Sequence, residues 1–186
     1  MSSTDLSSFD NSDFRPGSRV AIILWYCCSH LVFTHAWLPF NGLKRSLLRL
    51  FGAEIGAGVV IKPKVRIKYP WHLCIGQHSW IGEDVWIDNL GKVDIGAHCC
   101  ISQGATILSG NHDYKQPSFD LIVKPITLED GVWIGARSTV VQGIHCASHS
   151  ILTVGSVAAA DLEAYSIYSG VPAVKVRERK MGQAGS

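Results

Sequence analysis

One short segment of the chain carries the residue types that proton-transfer chemistry requires: Ser109-Gly110-Asn111-His112-Asp113-Tyr114. Histidine is the side chain whose ordinary pKa lets it accept a proton near neutrality, so His112 is the candidate general base. Asn111 and Tyr114 beside it are candidate acceptor contacts, an amide and a phenol. His30, His35, His72, His145 and His149 have no comparable setting and are read as structural. Six cysteines are present, with Cys27–Cys28 and Cys99–Cys100 adjacent and Cys74 and Cys146 isolated. No CxxC occurs, which argues against a zinc ribbon or a thioredoxin-like site.

The elements that must position His112 announce themselves by period. Ile55, Ile61 and Ile67 are followed by Ile75, Ile81, Ile87 and by Ile95, Ile101, Ile107, and the ladder resumes at Leu128, Ile134, Val140 and Cys146. A step of six suits neither a helix stripe nor plain strand alternation. It suits a mainly β solenoid with three short strands per coil. The step lengthens after Ile67, Ile87 and Ile107, which marks one wide corner per coil, and the third of these swells into an excursion over residues 109–125. Adjacent coils stack about 4.8 Å apart. Asp88 and Asn89 therefore fall one layer beneath the loop bearing His112 and are candidate acceptor contacts. Val59, Val65, Ser79, Val85, Cys99, Ala105, Val132, Ser138 and Ile144 form a second inward column; Cys99 in it and Cys146 in the ladder are therefore expected inside as reduced thiols. Gly56, Gly76, Gly82, Gly96 and Gly135 follow ladder residues and are expected to serve corners of unusual φ.

A chain of 186 residues can bury one substantial core. Its net charge of +2 gives no argument for nucleic acid as a partner. The start is polar and acidic, unlike a signal peptide, so the cytoplasm is the default location. Residues 20–40 are apolar but interrupted. They suit a helix that caps the open first coil, or an interfacial membrane contact helped by Arg15, Arg19, Lys44, Arg45 and Arg49. Residues 43–51 read as a second short helix ended at Gly52. The organisation is thus a polar arm and helical cap over 1–52, a β-helix over 53–160 with an active-site loop at 108–126, and a C-terminal segment over 161–186.

The ladder, the Asn-His-Asp loop, Ile126-Thr-Leu-Glu-Asp-Gly-Val-Trp-Ile-Gly-Ala136 and Tyr168-Ser-Gly-Val-Pro-Ala-Val174 together resemble the hexapeptide-repeat acyltransferases. The stretches Val60-Ile-Lys-Pro-Lys-Val-Arg-Ile-Lys-Tyr-Pro-Trp71, Trp80-Ile-Gly-Glu-Asp-Val-Trp-Ile-Asp-Asn89 and Ile101-Ser-Gln-Gly104 resemble their colanic-acid-type exopolysaccharide O-acetyltransferase branch. The resemblance implies a left-handed parallel β-helix, a homotrimer, acetyl-CoA as co-substrate, no metal, and a sugar hydroxyl as acceptor held between subunits. It implies His112 as base, the Ala136 N–H at the thioester, and a CoA groove touching Trp133, Gly135 and Val154. Lys175 and Arg177, with Arg179 and Lys180, stand in for the basic residues relatives carry at the phosphates, because this chain reads Ala159-Ala160-Asp161 and Val171-Pro-Ala-Val174 there. The asparagine that binds sugar in galactoside and maltose acetyltransferases falls near Gly82. Three other readings stay open: a γ-type carbonic anhydrase with zinc near His78 and His98, a non-catalytic trimeric scaffold for polysaccharide assembly, and transfer of another acyl group or to an antibiotic.

Overall fold

The computed structural model describes residues 3–34 and 40–182; His35 and the rest of residues 35–39 lie outside the described residues. From residue 54 the chain winds as a three-faced parallel prism. The first face stacks Glu54–Ile55, Leu73–Ile75, Val93–Ile95, Ile126–Leu128 and His145–Cys146. The second stacks Val60–Ile61, Trp80–Ile81, Cys100–Ile101, Trp133–Ile134 and Ile151–Leu152, and the third Arg66–Ile67, Trp86–Asp88, Thr106–Leu108, Thr139–Val140 and Val157–Ala158. Register follows the ladder: Ile55 pairs with Ile75, Ile75 with Ile95, Ile95 with Leu128 and Leu128 with Cys146.

Every ladder residue is buried, and so is every residue of the second inward column. Each large aliphatic side chain taken out of water contributes roughly 1.5–3 kcal/mol toward ordering the coils. The ladder also continues past Cys146 at the same step of six, through Leu152 and Ala158.

The glycines depart from the role expected of them. Gly56, Gly76, Gly82, Gly96 and Gly135 do not have positive φ; a Cβ on any of them would come within 2.5–2.6 Å of the next coil. They are small because two backbones nearly touch there. The left-handed conformation falls two residues later, at Gly58, His78, Asp84, His98, Gly104, Gly131, Arg137 and their equivalents.

The open first coil is closed by two helices. Helix α2 (Asn41–Leu50) lays Lys44 across the carbonyls of Ile61 and Lys62 at 3.1 and 3.2 Å, Arg45 on Val59 and Arg49 on Ile55, while the Asn41 carboxamide accepts from the Ile61 N–H. Backbone groups with no coil beneath them are thereby satisfied. Burial pushes the Lys44 ammonium below its ordinary pKa. Helix α1 (Arg19–Val32) sends Trp25 into the core, where its indole donates to the Ile67 carbonyl at 2.9 Å, and the Phe33 ring packs edge-on against it. For its described part, the apolar stretch thus packs one side against the first coil. No helix among the described residues is long and apolar enough to cross a membrane. At the far end Ser166–Gly170 joins the second face and Ala173–Glu178 folds back antiparallel on it. That last strand is rich in charge, which suits an exposed sheet edge.

Candidate active site

The excursion is a hairpin in which Gly110–His112 pairs antiparallel with Leu121–Val123, His112 opposite Leu121. Its base is clamped to the coil below. The buried Ser109 hydroxyl donates to the Asp88 carbonyl at 3.1 Å and accepts from the Gly91 N–H at 2.9 Å.

His112 is half-buried, and its Nδ1 lies 2.8 Å from the Phe119 carbonyl. A carbonyl can only accept, so Nδ1 carries the hydrogen and Nε2 keeps its lone pair. Phe119 also stacks on the imidazole, with centroids 4.5 Å apart and planes 10° from parallel. Phe119 has φ 54°, a left-handed conformation that costs a non-glycine residue on the order of 1 kcal/mol or more. Phe9 also reaches the ring, its centroid 5.7 Å away and tilted by 58°. The N-terminal arm is tied there by the Asp5 N–H on the Pro117 carbonyl and by the Trp71 indole on the Pro16 carbonyl. Sequence reasoning missed both phenylalanines; an aromatic residue in an otherwise polar arm was the available signal.

The acceptor candidates separate. Asp88 lines a cavity of about 310 Å³ with Tyr26, Ser29, Arg66, Lys68 and Trp86, and is ion-paired to Lys68 at 3.0 Å. Asn89 is fully buried, accepting from the N–H groups of Lys68 and Tyr69 and donating to the Tyr69 carbonyl at 2.6 Å. It holds the wide corner of the coil beneath, and full burial keeps its amide from an acceptor, a correction to the contact expected of it from sequence. Asn111 folds its Oδ1 onto the His112 N–H, and Tyr114 is 75% exposed.

The residues expected to hold CoA come together. Trp133, Gly135, Ala136 and Val154 line one cavity of about 390 Å³ on the second face, with Ser102 fixing the Trp133 indole at 2.9 Å. The Ala136 N–H donates to no acceptor among the described residues. A second cavity, about 840 Å³, shares Trp133 and Ile151 with the first and ends on Arg177, Arg179 and Lys180. Lys175 is not part of it. Glu163 at 2.7 Å and Glu178 at 2.6 Å hold its ammonium and raise its pKa above the ordinary value. This corrects its phosphate assignment. Arg179 is largely committed to the carbonyls of Gly131 and His149, which leaves Arg177 and Lys180 as the accessible cations. A third cavity, about 440 Å³, continues toward the first coil past Ser102, Gln103 and Trp80. Trp80, 58% exposed, carried no signal of this role in the sequence. At Gly82 a Cβ would meet the Gln103 nitrogen at 2.6 Å, so no side chain fits at that position.

His112 and this groove do not meet within one protomer. Gly135 and Ala136 turn the corner from the second face to the third, whereas the hairpin leaves the corner from third to first. The whole third face lies between them. His78 and His98 stack at 5.3 Å, and no group of three or more metal-capable side chains occurs among the described residues.

No protein-family model matches the chain. The "Putative colanic acid biosynthesis acetyltransferase WcaF" of Escherichia coli (strain K12) is 36% identical over 178 residues, covering 94% of this chain and 97% of that protein. Among solved structures, a hexapeptide-repeat acetyltransferase from Vibrio cholerae in complex with acetyl coenzyme A superposes with a TM-score of 0.72 at 24% identity, covering 78% of this chain and 81% of that one. A galactoside acetyltransferase in complex with coenzyme A gives a TM-score of 0.79 at 20% identity, covering 91% and 86%. The prism is thus the left-handed parallel β-helix of its structural neighbours, and the chain belongs to the WcaF-like family of hexapeptide-repeat acetyltransferases.

Proposed function

We propose that the protein is an acetyl-CoA-dependent O-acetyltransferase that acts as a homotrimer on a sugar hydroxyl of an exopolysaccharide or its precursor. The observation that carries the reading is the Nδ1 bond of His112 to the Phe119 carbonyl, which leaves Nε2 as a base. The acceptor hydroxyl gives its proton to Nε2 as its oxygen attacks the thioester carbonyl. The negative charge of the tetrahedral intermediate falls on the former carbonyl oxygen, for which the unpaired Ala136 N–H of a neighbouring copy is the donor. Collapse breaks the carbon–sulfur bond, and the departing thiolate takes the proton from the imidazolium. Separation of base and groove across the third face supports a site completed between copies. Pantetheine suits the apolar groove past Trp133, and Arg177 and Lys180 suit its phosphates.

Asp88 remains the acceptor contact, since a carboxylate beside the Trp86 ring is the pairing of groups that a sugar's hydroxyls and apolar face call for. The names of the relatives support the acceptor class: one is a colanic acid biosynthesis acetyltransferase, and another, 25% identical over 149 residues, is a galactoside O-acetyltransferase of Escherichia coli (strain K12). The test is release of free CoA thiol from acetyl-CoA against a panel of saccharide acceptors. His112→Ala is expected to lower kcat by about 10²–10⁴ with CoA affinity retained. Undiminished turnover in that variant removes His112 from the mechanism, and protein that binds no CoA and releases no thiol points to the scaffold instead.

A further inference from the structure

Capping accounts for one side of α1 only. Ala21, Trp25, Cys28 and Val32 turn toward the prism, while Val20, Ile23, Leu24, Cys27 and Leu31 recur at helical spacing on the opposite, exposed side. Val20 is 65% exposed, and Ile23 and Leu31 are each 62% exposed. A helix apolar on both sides calls for an apolar surround on both. Its 14 residues span about 21 Å, short of the roughly 30 Å of a hydrocarbon core, so such a helix can lie along a bilayer but not cross it.

Charge narrows the occupant. No Asp or Glu occurs between Asp13 and Glu54, whereas Arg15, Arg19, Lys44, Arg45 and Arg49 do. Arg19 even opens the first turn of α1, which contains no acid, although the helix dipole favours an anion there. A second copy pairing through this face would set like charges against each other. We propose that the outward side of α1 docks on an anionic lipid bilayer, with the apolar stripe in the interface and Arg15 and Arg19 at the level of the phosphates. The same helix contributes Tyr26 and Ser29 to the cavity of Asp88. If the transferase reading holds, a lipid-borne saccharide is thereby delivered to the site; the docking itself does not depend on that reading.

The test is flotation of the full chain with sealed vesicles of phosphatidylglycerol and phosphatidylcholine, and with phosphatidylcholine alone, over a salt series. Binding to the anionic vesicles is expected, weakening as salt rises. Ile23→Glu with Leu31→Glu is expected to lower it by about ten-fold or more with Tm unchanged, both positions being exposed. Arg19→Glu is expected to lower binding to anionic vesicles only. Wild-type protein that does not float, or a double variant that floats as well as wild type, overturns the proposal. If neither form floats and the double variant instead changes the mass of the assembly in solution, a second copy covers the face and the lipid assignment fails. Thiol release with a water-soluble acceptor, measured on the same preparations, reads the transferase proposal separately: its absence with flotation intact counts against that proposal alone.

Discussion

His112 stands out among the histidines because its loop exceeds what the repeat needs, and a surplus of ordered chain is where chemistry tends to be placed. What orients the ring was not legible in the sequence. The Phe119 carbonyl reaches Nδ1 through hairpin register and a left-handed torsion, and Phe9 arrives from a separate part of the chain. Neither follows from a period of six. Asp88 and Asn89 were equally good candidates in sequence, since both suit turns, and only burial separates them. Asn89→Ala strips the acceptor from the N–H groups of Lys68 and Tyr69, and is expected to cost about 1–3 kcal/mol in denaturant unfolding while leaving the acceptor KM of the remaining folded enzyme unchanged. Asp88→Asn is expected to do the reverse, raising that KM with stability within about 1 kcal/mol of wild type, because its ion pair with Lys68 is partly solvated. Steady-state kinetics beside urea titrations on both variants checks the assignment.

At the scale of elements, strands and inward columns were legible because burial repeats with the coil, so each turn of sequence restates the same rule. Torsion does not restate itself in that way, and the glycines after the ladder were accordingly read for conformation when their task is close approach. Gly135→Ala puts a carbon 2.6 Å from the Val154 nitrogen and 2.7 Å from the Leu152 carbonyl. Backbone must shift to admit it. The expected result is a loss of about 1–3 kcal/mol in unfolding free energy, together with weakened CoA binding by calorimetry, since the same two coils wall the groove. Helix α2 was foreseen as a helix ending near Gly52, and in one of two alternative readings its cations aided a membrane contact. Lys44, Arg45 and Arg49 instead bond carbonyls of the first coil, a demand that arises only because the prism has to begin somewhere.

For the whole molecule, two consequences are measurable. Burial pushes the thiols of Cys99 and Cys146 up to about 11 and about 12. Below pH 9 both states keep these protons. Above it the unfolded chain loses them first, so this stability is present below pH 9 and is lost as pH rises through 11 and 12, about 1.4 kcal/mol for each tenfold difference in proton affinity. Urea unfolding between pH 8 and pH 10.5 should show stability falling with pH, and Cys146→Ala should flatten that fall. The second consequence follows from a base and a groove on different corners. Protomers carrying His112→Ala, denatured and refolded together with protomers carrying Val154→Trp, a large side chain at an exposed groove position, should regain thiol release that neither possesses alone. Mixtures that stay inert would place both halves of the site in one chain.

The outward row of the second face, from Val60 through Trp80, Cys100, Trp133 and Ile151 to Ile167, is also a ruler. Marks on it come only in whole coils of about 4.8 Å, so the reach from thioester to phosphate cannot be tuned gradually. Splicing out a coil would shorten it by one graduation, and a longer donor could be accommodated only by adding one.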